Sequence, residues 1–329
     1  MEYTHLGKSG LRVSRLCLGT MNFGGVTSEK EAFHIMDAAL DAGINFFDTS
    51  NNYGKGRTEE IIGRWFAQGG GRRERVVLAT KVFTGVASPP EDGPNMADGL
   101  SAFKIRRNLE ASLRRLQTDH VELYQMHHID RHASWDELWE AFDIQQYQGK
   151  ILYVGSSNFG ARDLVKAQYE AKLRHKFGLV SEQHIYNLMC RMPEVELLPA
   201  AIEHGIGVIA YSPLNGGLLG GNARKPVENT RSHMTLSGLS SSKVDRFNDQ
   251  IEMFSNFCKE IGESEDAVAL AGILLHPGLT APIVGPRTIE QLQSSIRAVE
   301  IKLDESAIAR INEIFPGYGP GPLSYARNR

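Results

Sequence analysis

Five side chains in the first half of the sequence suggest a specific chemistry. Asp48 ends the apolar run INFFDT and Tyr53 follows in the polar, glycine-punctuated stretch SNNYGKG; Lys81 closes LATK, and His127 and His128 close VELYQMHH. A phenol titrates near ~10 in water and is a poor donor at neutral pH, whereas a close ammonium favours the phenolate and lowers that value. Lys81 supplies the ammonium in this reading. A buried lysine tends to lose its own proton, so a neighbouring carboxylate must hold the charge, a part open to Asp48. A phenol tuned in this way suits protonation of an alkoxide as it forms, with an imidazole orienting the carbonyl oxygen. That chemistry is carbonyl reduction, and it requires a source of hydride.

Each residue also has a plainer reading: Asp48 as a helix cap, Tyr53 as a loop anchor, Lys81 as a surface lysine. Convergence of all of them on one face favours the chemical reading. HHIDRH admits a metal reading too, since His128 and His132 stand four apart with Asp130 between them, but the segment crosses from strand to loop. No metal is expected. Side chains alternate along a strand, so His127 and His128 are expected to point oppositely, with only one facing the site. His127 shares parity with Leu123 and Gln125, and the sequence leaves open which set points inward.

Something must bring these residues together. Short apolar or β-branched runs recur at 15–20, 44–49, 75–82, 120–128, 151–158, 179–186, 206–214 and 281–286, alternating with helical patterns. Amphipathic helices are expected at 29–41, 57–66, 103–116 and 135–147. In the third, Ile105, Leu109, Leu113 and Leu116 form an inward stripe, and Arg106, Arg107, Arg114 and Arg115 read as a solvated basic face. Eight such βα units point to an α/β fold of the (β/α)8 TIM-barrel type, one domain over 1–329, with its chemistry at the C-terminal ends of the strands. An open dinucleotide-binding sheet would need a glycine fingerprint after an early strand, and neither that nor a P-loop occurs. Residues 1–15 read as a hairpin around a Lys-Ser-Gly turn that plugs the barrel floor. The long segments 84–101 and 214–243 are expected over the active face, and a Pro/Gly-rich tail occupies 316–329.

Composition narrows the classes. The 329 residues carry a formal charge of −3, with 41% hydrophobic and 23% charged residues, so nucleic acid is not an expected partner. Neither a signal peptide nor an eighteen-residue apolar run is seen, which leads to the expectation of a cytoplasmic protein that does not engage a membrane. Cys17, Cys190 and Cys258 are odd in number and far apart, which suggests neither a disulfide framework nor a zinc site.

FFDTSNNYGKGRTEEIIGRW, LATKV, VELYQMHH, LYVGSSNF, VSEQHIYN, VIAYSPLNGGLL and PIVGPRTIEQL, in that order, resemble the motifs of the aldo-keto reductase family. The resemblance implies a barrel that binds NADP(H), an NADPH-dependent reductase of aldehydes and ketones, and a small-molecule carbonyl substrate. It makes Tyr53 the general acid, Lys81 and Asp48 its tuning pair, and His127, in preference to His128, the carbonyl-orienting imidazole. It places Ser157, Asn158 and Gln183 on the nicotinamide carboxamide and Tyr211 against the nicotinamide ring. Ser212, Leu214, Gly217 and Leu218 match the stretch that covers the pyrophosphate, and the loop beyond, to Lys243, matches a segment that folds over bound cofactor. Arg287, Thr288 and Gln291 match the adenosine 2′-phosphate site; a guanidinium there favours NADPH over NADH. Gly19, Thr20, Met21, Gly285 and Ser295 complete the implied cofactor contacts.

The sequence departs from the family in carrying His128 where many members have an aromatic, and Ser294 and Ser295 where many have an acid and an amide. YQMHH and the segment after it look closest to a branch of natural-product tailoring reductases acting on polyketide ketones or deoxysugars. An NDP-hexose 2,3-enoyl reductase is the alternative within that branch. The same branch resembles potassium-channel β-subunits, which implies a redox-sensing alternative and a ring-type homo-oligomer, although no added N-terminal inactivating segment is seen.

Overall fold

In the computed structural model, residues 1–86, 95, 98–221 and 240–318 are described, 240–246 by their backbone alone. Most of the segment after residue 86, the 222–239 part of the long 214–243 loop and residues 319–329 of the tail lie outside the described residues.

Two short strands, β1 (Tyr3–His5) and β2 (Arg12–Ser14), pair antiparallel. Eight parallel strands then close into a barrel: β3 (Cys17–Gly19), β4 (Phe46–Asp48), β5 (Val77–Val82), β6 (Val121–Met126), β7 (Ile151–Ser157), β8 (Leu179–Ile185), β9 (Gly207–Tyr211) and β10 (Leu279–Val284). Each neighbours the next, and β10 returns to pair with β3. Seven of the expected runs therefore contain a strand, and the eighth, 281–286, overlaps β10, which starts two residues earlier at Leu279. The hairpin plugs the floor, since Leu6 and Val13 pack with Cys17, Phe46, Ala79, Leu123, Val180, Ile209 and Ala281 in one apolar cluster. The Lys8 amide bonds the Gly205 carbonyl just below β9, and the Arg15 guanidinium ties the carbonyls of Leu274, Leu279 and Thr280 at the closing seam.

Three of the helices start where a serine satisfies an orphan amide. Ser28 and Glu31 form a reciprocal capping box for α1 (Glu29–Asp41), and Ser101 and Ser134 cap α3 (Ala102–Leu116) and α4 (Trp135–Tyr147). Between them, α2 (Arg57–Phe66) stacks Trp65 on Phe47 of β4 at 5.7 Å. The chain continues through α5 (Ala161–Leu173), α6 (Leu197–His204), α7 (Ser240–Glu260), α8 (Glu265–Leu274), α9 (Ile289–Arg297) and α10 (Glu305–Ile314).

The apolar stripe of α3 is buried as expected. Arg106, Arg107 and Arg114 are exposed, but Arg115 departs from the solvated face. Its Nε donates to Glu59 Oε2 at 2.8 Å, and the other oxygen of this fully buried carboxylate accepts from Thr80 Oγ1 at 2.6 Å. The helical period places Arg115 beside α2, and a buried acid there gives it a partner.

Gly63 lets α2 approach α3 closely: a Cβ there would lie 2.1 Å from the Arg115 carbonyl oxygen. Gly63→Ala is expected to destabilise the protein by about 1–3 kcal/mol, as overpacking does. A lower Tm by calorimetry is the expected result; a wild-type Tm would show that the helices separate without strain.

Candidate active site

Above the apolar floor the inward positions turn polar. Asp48 on β4, Lys81 on β5, Gln125 on β6 and Gln183 on β8 meet at the barrel axis, all buried. Lys81 Nζ donates to Asp48 Oδ2 at 2.6 Å, to the Thr49 carbonyl at 2.8 Å and to Tyr53 Oη at 3.0 Å. Three N–H groups thus meet three acceptors. Asp48 Oδ1 accepts from Gln125 Nε2 at 3.1 Å and Gln183 Nε2 at 2.8 Å. Burial alone would lower the Lys81 pKa, but Asp48 and Tyr53 outweigh it and the net direction is upward.

Tyr53 opens a single 3-10 turn, Tyr53–Gly56, in which Gly54 and Lys55 take left-handed φ of 55° and 56°. Because its oxygen accepts from the ammonium, its own proton is left to point elsewhere, and the residue lines the cavity. The lowered phenol pKa expected from the sequence is not what the site gives. Burial raises it, Lys81 lowers it, Asp48 raises it again, and the net direction is upward. The phenol therefore holds a proton it can give.

Leu123 packs in the interior cluster and Gln125 bonds Asp48, so the inward parity is the one that His127 shares. His128 does not turn away as alternation predicted. Strand β6 stops at Met126, and beyond it the two imidazoles stack, centroids 5.1 Å apart and 5° from parallel, both lining the cavity. His127 stands edge-on to Tyr53 at 6.3 Å, with Nδ1 3.4 Å from Ser50 Oγ. Burial first, then Lys81 and His128, lower its pKa to about 3, so it is a neutral imidazole. Asp130, of the metal reading, accepts instead from the amides of Leu100 and His132.

The cavity, about 700 Å3, runs from Tyr53 along the strand ends to the start of α9. Gly19, Thr20 and Met21 line it beyond β3. Thr20 Oγ1 bonds the Asp48 carbonyl at 2.9 Å, and a Cβ on Gly19 would sit 2.4 Å from Ile283 Cγ2. Ser157, Asn158, Gln183 and Tyr211 form the next stretch. Asn158, at φ 61°, donates to the His127 carbonyl and Ser157 Oγ and accepts from Tyr211 Oη at 2.9 Å. Ser212, Leu214 and Gly217 border the cavity in a tight turn, with φ of 50° at Ser212 and 97° at Gly217. Gly217 donates its amide to the Leu214 carbonyl. Leu218 is not on the wall; it is buried against Ile251.

At the far end lie Gly285, Arg287, Gln291 and Ser295. Gln291 Oε1 accepts from the Arg287 amide, Thr288 caps α9 through the Gln291 amide, and Ser295 Oγ bonds the Gln291 carbonyl. Ser294 pairs with Ser264 instead.

The profile described as Aldo/keto reductase family matches residues 15–315. The chain belongs to the aldo/keto reductase family. It is 59% identical over 331 residues to the uncharacterized oxidoreductase YrpG of Bacillus subtilis, covering 99% of this chain and 100% of that protein. It is 31% identical to a probable voltage-gated potassium channel subunit beta of Arabidopsis thaliana (99% and 100% covered) and 32% identical to versiconal hemiacetal acetate reductase of Aspergillus parasiticus (95% and 96% covered). This aldo/keto reductase is accordingly an oxidoreductase. Among the described residues no helix is long and apolar enough to cross a membrane.

Aldo/keto reductases generally draw on a nicotinamide dinucleotide. The cleft fits one chemically: amide and hydroxyl groups and an aromatic lie near the Tyr53 end, a glycine turn lies in the middle, and a guanidinium beside a helix start lies at the other. Among the wall residues that the sequence reading missed are Asn22, Gly216, Asp266 and Ile283. Asn22 bonds the Gly285 carbonyl at 2.9 Å. Applying the strand-end rule to β3 and β10 would have found Asn22 and Ile283, whereas Asp266 stands far from any strand end.

Since free imidazole titrates near ~6.5 and folded His127 near 3, the unfolded chain binds the proton first as pH falls. The stability this residue contributes is complete above ~6.5 and is lost toward 3. Urea midpoints should therefore drop less between about pH 7.5 and about pH 5 in His127→Phe than in the wild type; equal drops would contradict the neutral, buried imidazole.

Proposed function

We propose that the protein is an NADPH-dependent carbonyl reductase in which Tyr53 delivers the proton. The observation that carries this reading is the Lys81 ammonium with all three donors engaged, one of them on Tyr53 Oη. A phenol oxygen that accepts there keeps its proton directed at the cavity, while the ammonium stabilises the phenolate left after transfer. His127, neutral and edge-on to Tyr53, orients the carbonyl oxygen between them. A reduced nicotinamide bound in the cleft supplies the hydride to the carbonyl carbon.

Ser157, Asn158 and Gln183 hold the carboxamide end, and Tyr211 forms the wall for the ring. The turn at Ser212, Leu214 and Gly217 covers the pyrophosphate. Arg287, Gln291 and Ser295 at the start of α9 take the adenosine end, where a guanidinium matches a 2′-phosphate bidentately. The substrate is an aldehyde or ketone. The likeness to versiconal hemiacetal acetate reductase supports a place among reductases of secondary metabolism. The likeness to a potassium channel β subunit supports a second reading as a redox-sensing partner, which slow turnover with tight NADPH binding would favour. The buried thiols of Cys17 and Cys258 suit a reducing cytoplasm.

Tyr53→Phe is expected to bind NADPH normally and to lose about 10²-fold or more in kcat, followed by loss of reduced-nicotinamide absorbance. Unchanged turnover would remove Tyr53 as the acid. Arg287→Ala should weaken NADPH about 10- to 100-fold while barely altering NADH, as loss of a charge-assisted contact requires. Equal weakening of both in fluorescence titrations would place the phosphate elsewhere.

A further inference from the structure

His128 is the residue at this site that carbonyl reduction as described leaves unused. Its ring is exposed at the cavity wall, and among the described residues neither ring nitrogen has a hydrogen-bonding partner. The ring is nevertheless fixed. His127 lies parallel to it at 5.1 Å, and Phe83 meets it edge-on at 5.1 Å and 72°. Phe83 is in turn held, because its carbonyl accepts from the Gly99 amide and from Lys104 Nζ. A polar ring already locked by packing loses little freedom on taking a partner.

We propose that His128 is a specificity-determining residue: it gives a second hydrogen bond to substrates carrying a hydroxyl or keto oxygen one or two carbons from the reacting carbonyl. The inference rests on carbonyl reduction at Tyr53 with His127 on the reacting oxygen. The two near-parallel rings, 5.1 Å apart, line the same cavity, which puts the second imidazole within reach of an oxygen next to the reacting one. Partial desolvation against the neighbouring rings holds the His128 pKa below its usual value, against the pull of Asp98, which leaves the ring neutral at pH 7. A neutral imidazole both donates and accepts, which suits hydroxyl and keto oxygens alike and gives no ionic preference for carboxylates. An apolar aromatic at 128 would fill the same space and offer neither contact.

Phenacyl alcohol and acetophenone differ by one such hydroxyl. The quantity to measure is the ratio of their kcat/KM values with NADPH, in the wild type, His128→Phe and His128→Gln. Comparing ratios cancels the intrinsic reactivity of each ketone. The ratio should fall about tenfold in His128→Phe, the usual effect of losing one neutral hydrogen bond, and be largely kept in His128→Gln, which retains a donor and an acceptor. A ratio within about threefold of wild type in His128→Phe overturns the proposal, as does an equal fall in both variants, which would mark the effect as packing. The same ratio, read from calorimetric dissociation constants on the NADP+-loaded protein, decides the matter if turnover is slow. Turnover that survives Tyr53→Phe would instead refute the underlying reduction reading, so the two failures are separable.

Discussion

A fully buried ammonium needs an acceptor for every N–H, and the upper half of this barrel is arranged around that demand. Lys81 finds a carboxylate oxygen, a main-chain carbonyl and a phenol oxygen, each from β4 or the loop that follows it. The second oxygen of Asp48 is taken by amides from β6 and β8, so the charge pair is tied to opposite walls. Charge pairs in low-dielectric surroundings persist only when such extra hydrogen bonds complete them. A slip of one residue in β4 or β5 would turn Asp48 or Lys81 away from the axis, so strand register and site stand or fall together.

Much of this was legible in the sequence, for physical reasons. The strands showed as apolar runs, and α1, α2 and α4 were bounded correctly because serine caps or glycines stand at their starts. The residues at the axis were legible because strand ends in a barrel converge. What escaped the sequence depends on surroundings. Alternation fails for His128 because the strand has already ended, and Arg115 is drawn in by Glu59, which lies 56 positions away. The direction of the Tyr53 pKa turns on burial, which no local pattern reports. Leu218 sits in the expected turn, but its side chain satisfies an apolar contact with Ile251 rather than the cleft.

Backbone strain gathers along the same cleft. Asn158, Ser212 and Asn215 adopt left-handed φ without being glycine, and all three lie on or beside the cavity wall. Such conformations persist where the surroundings over-determine them. Asn158 is fixed by the His127 carbonyl, Ser157 and Tyr211, and Ser212 by Asn187 and Asn215, which bond its carbonyl. The histidine segment and the wall tyrosine are thereby held at one distance by a single amide. A cofactor ring and a carbonyl need the same alignment.

The seam of the barrel joins the two ends of the sequence. β3 pairs with β10 through Cys17–Ile283 and Leu18–Val284, and Arg15 clasps the carbonyls of Leu279 and Thr280. On a ribosome the chain emerges in order, so β3 keeps one edge open until nearly the whole polypeptide has been made. Unpaired strand edges are sites of wrong association, and contacts this distant in sequence form slowly. The hairpin is translated first, but the floor it plugs draws on Val180, Ile209 and Ala281, so plug and seam are both completed only when the last barrel strand has been made.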